Sequence, residues 1–110
     1  MKHMMRLQNE PFELIKSGTK TIELRLNDEK RKLVKENDII EFTNVSTGER
    51  LDVKVLKIHR YDSFEELYKH FDKVSLGYKN DEEANPTDME KYYSKEEQEQ
   101  CGILGIEITL

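Results

Sequence analysis

The last eight residues constrain this chain most. Leu104, Ile106, Ile108 and Leu110 alternate with other side chains, the period of a strand with one buried face. The residues before them, from Ser63 onward, read as helix and loop, so no partner strand lies nearby in sequence. An isolated terminal strand cannot satisfy its backbone N–H and C=O groups. It must pair with strands from the first half of the chain. With 110 residues and 13.1 kDa there is material for one core, and a single domain over 1–110 is expected. The simplest solution is an α+β fold: a small mixed barrel of about five or six strands with helices covering its openings.

The remaining elements follow from local signals. His3 to Leu7 reads as a first strand. Asn9 offers an N-cap, followed by Glu10 and Pro11 in the first turn of a helix that carries Phe12 and Ile15 on one face and ends at Ser17-Gly18. Thr19 to Leu26 alternates, with Ile22, Leu24 and Leu26 on one face and Thr21, Glu23 and Arg25 on the other. Asn37-Asp38 reads as a turn with Asn37 at positive φ, leading into a strand over 39–43. Leu51, Val53 and Val55 alternate in one phase, while Leu56 and Ile58 fall in the other, which predicts a bulge or barrel corner. Ser63-x-x-Glu66 and Ser94-x-x-Glu97 are capping boxes. Asn85-Pro86 starts a further helix carrying Met89, Tyr92 and Tyr93, and residues 72–84 form an acidic loop.

Composition narrows the function classes. The formal net charge is -5, which argues against a generic nucleic-acid glue. The charge is unevenly spread, however. Residues 1–60 hold 13 basic and 10 acidic side chains, whereas residues 61–110 hold 5 basic and 13 acidic. Seven of the basic ones fall within residues 16–35, so an anionic partner on that side is one reading and a solvated surface the other. No apolar run is long enough to span a bilayer, and no secretory signal is visible at Met1-Lys2-His3. One cysteine, Cys101, fits a reducing cytoplasm, and with three scattered histidines it makes no metal motif. No cofactor and no membrane partner are expected.

The stretch from Pro11 to Arg25, with Gly18, Lys20, Glu23 and Arg25 in a G-x-K-x-x-E-x-R pattern, resembles the signature of ASCH domains, small relatives of the PUA RNA-binding barrel. Lys30-Arg31, Asp38 to Phe42, Tyr61 to Leu67, Tyr92-Tyr93-Ser94 and Gly102 to Ile106 extend the likeness, and they look like the small bacterial single-domain branch. One departure is Asn37-Asp38 where the family usually has Gly-Asp; Asn tolerates the same left-handed turn. The resemblance implies a PUA-like barrel and a ligand site at the motif, with RNA, a nucleotide or a modified nucleoside as partner.

On pattern alone, Thr21, Glu23 and Arg25 are a polar strand face. If later helices cover that face, it becomes a cleft. There Arg25 supplies a planar fork for phosphate or a base edge, Glu23 an acceptor, and Lys20 a mobile charge. Lys30 and Arg31 extend the track, and Tyr92 can stack on a base, although Tyr92 and Tyr93 also read as helix-to-barrel packing with at most one of them lining the cleft. The resemblance also brings an enzymatic alternative. Some small ASCH proteins hydrolyse the acetyl amide of N-acetylated cytidine with a Lys, a Thr three residues later and a later Glu. Here Lys20 matches, Glu23 stands at the nucleophile position, and Glu82 or Glu83 falls nearest the last. A carboxylate cannot replace the threonine hydroxyl without forming an anhydride. The catalytic set left is Glu23 as base on water, Lys20 as stabiliser and Glu83, acting on a modified nucleoside or as a ribonuclease. The expectation is a compact nucleic-acid ligand bound rather than turned over; a protein-interaction module built on the acidic pole is the third reading.

Overall fold

The computed structural model describes all 110 residues. Its centre is one curled five-stranded sheet of order β1-β3-β4-β5-β2, built from β1 (Lys2–Leu7), β2 (Ile22–Leu26), β3 (Ile39–Asn44), β4 (Arg50–Tyr61) and β5 (Ile103–Thr109). The pair β1 and β3 runs parallel and the other three pairs antiparallel, so the sheet is mixed. The terminal strand β5 pairs with β4 on one side and β2 on the other, as its alternation requires. The phase change in β4 appears as a register shift between Val55 and Lys57, where the strand turns the barrel corner.

The curl encloses a first core of Met5, Leu7, Phe12, Ile15, Val34, Ile40, Phe42, Val53, Val55, Leu104, Ile106 and Ile108. Phe12 and Ile15 come from α1 (Asn9–Lys16), which plugs one opening. A second core lies on the outer face of β2 and β5. There Ile22, Leu24, Leu26 and Ile103 meet Phe64 and Leu67 of α2 (Phe64–Tyr68), together with Leu76 and Met89. A strand covered on both faces reads as continuously buried, and residues 103 to 106 of β5 are all buried. Gly105 makes this packing possible: an added Cβ would stand 3.0 Å from Leu67 Cδ1 and 3.3 Å from Ile22 Cγ2.

Local expectations meet several corrections. Asn9 does not cap α1. Gln8 occupies the N-cap without a side-chain bond, because Asn9 Oδ1 accepts from the side-chain Nδ2 of buried Asn44 at 3.0 Å. Strand β2 begins at Ile22, not Thr19, because the amides of both Thr21 and Ile22 turn away to the Ser75 carbonyl. The Ser63 box is half made, since Glu66 turns to Lys69, whereas the Ser94–Glu97 box is complete at the start of α3 (Lys95–Cys101). Residues Pro86–Lys91 wind as a 3₁₀ helix with Asn85 as its cap, and Leu110 is exposed rather than buried. Gly18 ends α1 at φ +81°, and Asn37 takes φ 73° as its side chain permits.

Candidate functional site

The register of β2 against β5 decides where the motif points. Glu23 lies opposite Ile106 and Arg25 opposite Leu104, so both project to the barrel interior, while Ile22, Leu24 and Leu26 project to the second core. Strand β2 is one edge of the sheet and β1 the other. No ladder joins them. Instead the Arg25 guanidinium donates to the Arg6 carbonyl at 2.9 Å and the Lys30 ammonium donates to the Met4 carbonyl at 2.9 Å. The seam between the edges is thus closed by side chains.

Three charges are buried at that seam. Lys20 is 8% exposed, Glu23 3% and Arg25 9%. One Glu23 oxygen lies 3.2 Å from the Lys20 ammonium and accepts from the Leu24 amide at 3.2 Å. The other accepts from the Arg25 Nε at 3.0 Å and stands 2.9 Å from its Nη2. Burial alone would push the Glu23 carboxyl up, but the Lys20 and Arg25 cations overcome it and hold it below the usual carboxylate range. Burial likewise works against the Arg25 charge, and Glu23 more than restores it. The cluster holds two cations and one anion, so a net positive charge is buried beside a cavity. Gly77 makes room for Lys20: at φ +107°, a Cβ there would lie 3.1 Å from Lys20 Cδ.

The seam opens into a cleft of about 720 Å³. Its floor is Lys20, Glu23 and Arg25, one wall is the end of β1 with the start of α1, and the other is the segment 76–93. Four tyrosines line it: Tyr68, Tyr78, Tyr92 and Tyr93. Tyr92 is 64% exposed, and Tyr93 stacks on Phe64 with ring centroids 6.2 Å apart. Burial raises the Tyr93 phenol despite the nearby Arg25. Its charged lining is balanced, with Arg6, Lys20, Arg25 and Lys91 against Glu10, Glu23, Glu82 and Asp88.

The expected site residues divide accordingly. Lys20, Glu23, Arg25 and Tyr92 come together in the cleft. Thr21 does not join them: it lines a separate cavity of about 120 Å³ with Ile108 and Val53, because the chain is not yet in strand geometry there. Lys30 is held on the β1 edge, and Arg31 pairs with Asp28 at 3.0 Å, so neither extends a cationic track into the cleft. Of the acidic pair, Glu82 lines the cleft and Glu83 does not. Both Tyr92 and Tyr93 line it, where at most one was expected. Arg6, Tyr68 and Asp88 are additions. They carried only core, strand or helix-start signals in the sequence, because their place in the site depends on how segment 62–93 folds back. No group of three or more His, Cys, Asp or Glu side chains comes together to hold a metal.

A curled five-stranded mixed sheet, helix-plugged and with a polar cleft at its open seam, defines a small PUA-like barrel. The ASCH domain family model matches residues 5–109, and the chain belongs to that family. Hypothetical protein PH0355 has a crystal structure that superposes with a TM-score of 0.79 at 37% identity, covering 99% of this chain and 98% of that one. The solution structure of protein PF0455 from Pyrococcus furiosus follows with a TM-score of 0.73 at 34% identity, covering 99% and 96%. A mutant form of ZmASCH from Zymomonas mobilis shares the fold with a TM-score of 0.68 at 12% identity, covering 99% of this chain and 68% of that one. A search of curated proteins finds no match. No helix is long and apolar enough to cross a membrane.

Proposed function

We propose that the protein binds a compact nucleic-acid ligand, a nucleotide, a modified nucleoside or a short RNA element, in the cleft at the β1–β2 seam. The buried Lys20–Glu23–Arg25 cluster is the observation that carries this reading. A net positive charge held out of water is costly, and an anion in the cleft offsets that cost. Both Glu23 oxygens are already engaged within the protein, so Glu23 serves to hold Lys20 and Arg25 in place rather than to activate water. Tyr92 and Tyr93 line the same cleft as the cations, and a cleft holding both rings and cations suits a base and its phosphate together.

The balanced lining argues for a small ligand. A long polyanion needs a track of unpaired cations, and Lys30, Arg31 and Lys32 are engaged elsewhere by Met4, Asp28 and Glu29. Calorimetric titration of the four ribonucleoside monophosphates and a short single-stranded RNA, at about 50 and 200 mM salt, tests the reading. Binding of a mononucleotide that weakens modestly with salt supports it. Absence of binding by all of them at the lower salt overturns it.

A further inference from the structure

Asp88 stands apart from the other carboxylates of the cleft. Glu23 is saturated at the floor, Glu82 turns an oxygen to the Lys79 amide at 2.8 Å, and Glu10 is exposed on the first turn of α1. Asp88 is half-buried on the 3₁₀ helix Pro86–Lys91, which Asn85 caps. It pairs with no cation. Its Oδ2 accepts from the Tyr78 hydroxyl at 2.8 Å, and the Tyr68 and Tyr78 hydroxyls lie 2.9 Å apart. With the Tyr78 proton committed to Asp88, Tyr68 donates to Tyr78, so the chain runs from Tyr68 through Tyr78 to Asp88. Burial and the hydrogen bond to Asp88 keep the Tyr78 phenol protonated, its ionisation pushed well above the ordinary range. Oδ1 of Asp88 has no partner within the protein, and the residue lines the cleft.

We infer that Asp88 is the acceptor that reads an exocyclic amine on the base of the bound ligand, which makes it a specificity-determining residue. This rests on the proposed function above and names the class of base. A carboxylate accepts hydrogen bonds and donates none. Cytosine, adenine and guanine each present an amine to such an acceptor. Uracil sets carbonyl oxygens on both sides of its single N–H, and hypoxanthine lacks the guanine amine. Fixing the carboxylate beforehand through Tyr78 removes the cost of ordering it on binding. The cations of the floor take the phosphate, and Asp88 on the wall formed by residues 76–93 takes the base.

Affinities for CMP against UMP and for GMP against IMP, measured with the whole protein, test the inference. The expected result is tighter binding of the amine-bearing member, by roughly tenfold in whichever pair binds. In Asp88→Asn, whose amide can donate toward a carbonyl, that ratio falls to about one or inverts. Tyr78→Phe, which keeps the ring and frees the carboxylate to turn, lowers the ratio without abolishing binding and guards against misfolding of the first variant. A merely structural role for Asp88 would weaken both members equally and leave the ratio unchanged, and that result overturns the inference. Equal affinity within both pairs in the unaltered protein also overturns it while leaving nucleotide binding intact. Failure of every nucleotide to bind overturns the inference, and failure of the short RNA as well overturns the proposed function with it.

Discussion

The Arg25 guanidinium donates to the Arg6 carbonyl at 2.9 Å, and this bond spans the two edges of a sheet that no ladder closes. Arg25 is fixed there by Glu23, whose other oxygen reaches Lys20. One ionic cluster therefore closes the barrel and forms the floor of its cleft. Stability and ligand binding are coupled through the same three side chains.

Replacing the anion at the centre of that cluster exposes the coupling. Glu23→Gln leaves Lys20 and Arg25 as two buried like charges without their counter-ion. Breaking one partner out of a buried ion pair typically costs about 3–5 kcal/mol. Urea denaturation should show a loss of that order, with an unchanged slope. A variant as stable as the parent would mean that water, not Glu23, compensates the two cations.

Tyr92 separates binding from folding. It is largely exposed, and surface substitutions usually change stability by no more than about 0.5 kcal/mol. Loss of a base-stacking ring costs about 1–3 kcal/mol of affinity. Tyr92→Ala should thus melt like the parent yet bind a mononucleotide roughly 5- to 150-fold more weakly. Unaltered affinity would place the base against another wall of the cleft.

Gly77→Ala should disturb Lys20 without touching its charge. Its φ of +107° disfavours any L side chain, and the new methyl meets Lys20 Cδ at 3.1 Å. A stability loss of about 1–3 kcal/mol is expected from the backbone strain. Nucleotide affinity, measured on the folded fraction, should fall as well. Affinity equal to the parent's would show that Lys20 does not contact the ligand.

Acid should act on two carboxylates in the same direction. Asp38 accepts from His3 at 2.8 Å and from the Lys35 amide at 3.0 Å, and its carboxyl is lowered to about 2. Glu23 is also lowered. A carboxyl with a depressed folded-state pKa binds its proton first in the unfolded chain, so its stabilisation is complete above the unfolded value and fades as pH falls. For Asp38 the window runs from about pH 4 down to about 2. Stability measured across that range should decline, and less steeply in Asp38→Asn. Identical slopes in the two proteins would remove Asp38 from the account.

Much of the architecture was legible in the chain because it rests on local signals. The alternation of β5, the bulge in β4, the stop at Gly18 and the positive φ of Asn37 each follow from one residue's chemistry or one period. The motif residues Lys20, Glu23 and Arg25 were legible as candidates, while their burial was not. The strand pattern gave two faces, one of them polar, and nothing local said that both would be covered. That depended on β2 reaching the sheet edge opposite β1 and on segment 62–93 folding over the outer face. The same non-local step removed Thr21 and Lys30 from the cleft and brought Asp88 and Tyr68 into it, whereas Arg31 is held by its near neighbour Asp28. Asn9 failed as a cap for a similar reason, since its side chain answers a buried amide thirty-five residues away.

Amide chemical-shift mapping of a mononucleotide titration tests the central claim most directly. Ligand in the cleft should perturb residues 20–25, 76–78 and 88–93, with the ends of β1 and α1 and the neighbouring Val45, and leave residues 51–57 of β4 and helix α3 unmoved. Perturbations confined to the Lys30–Lys35 surface, or spread thinly over all exposed lysines, would contradict a site at the seam.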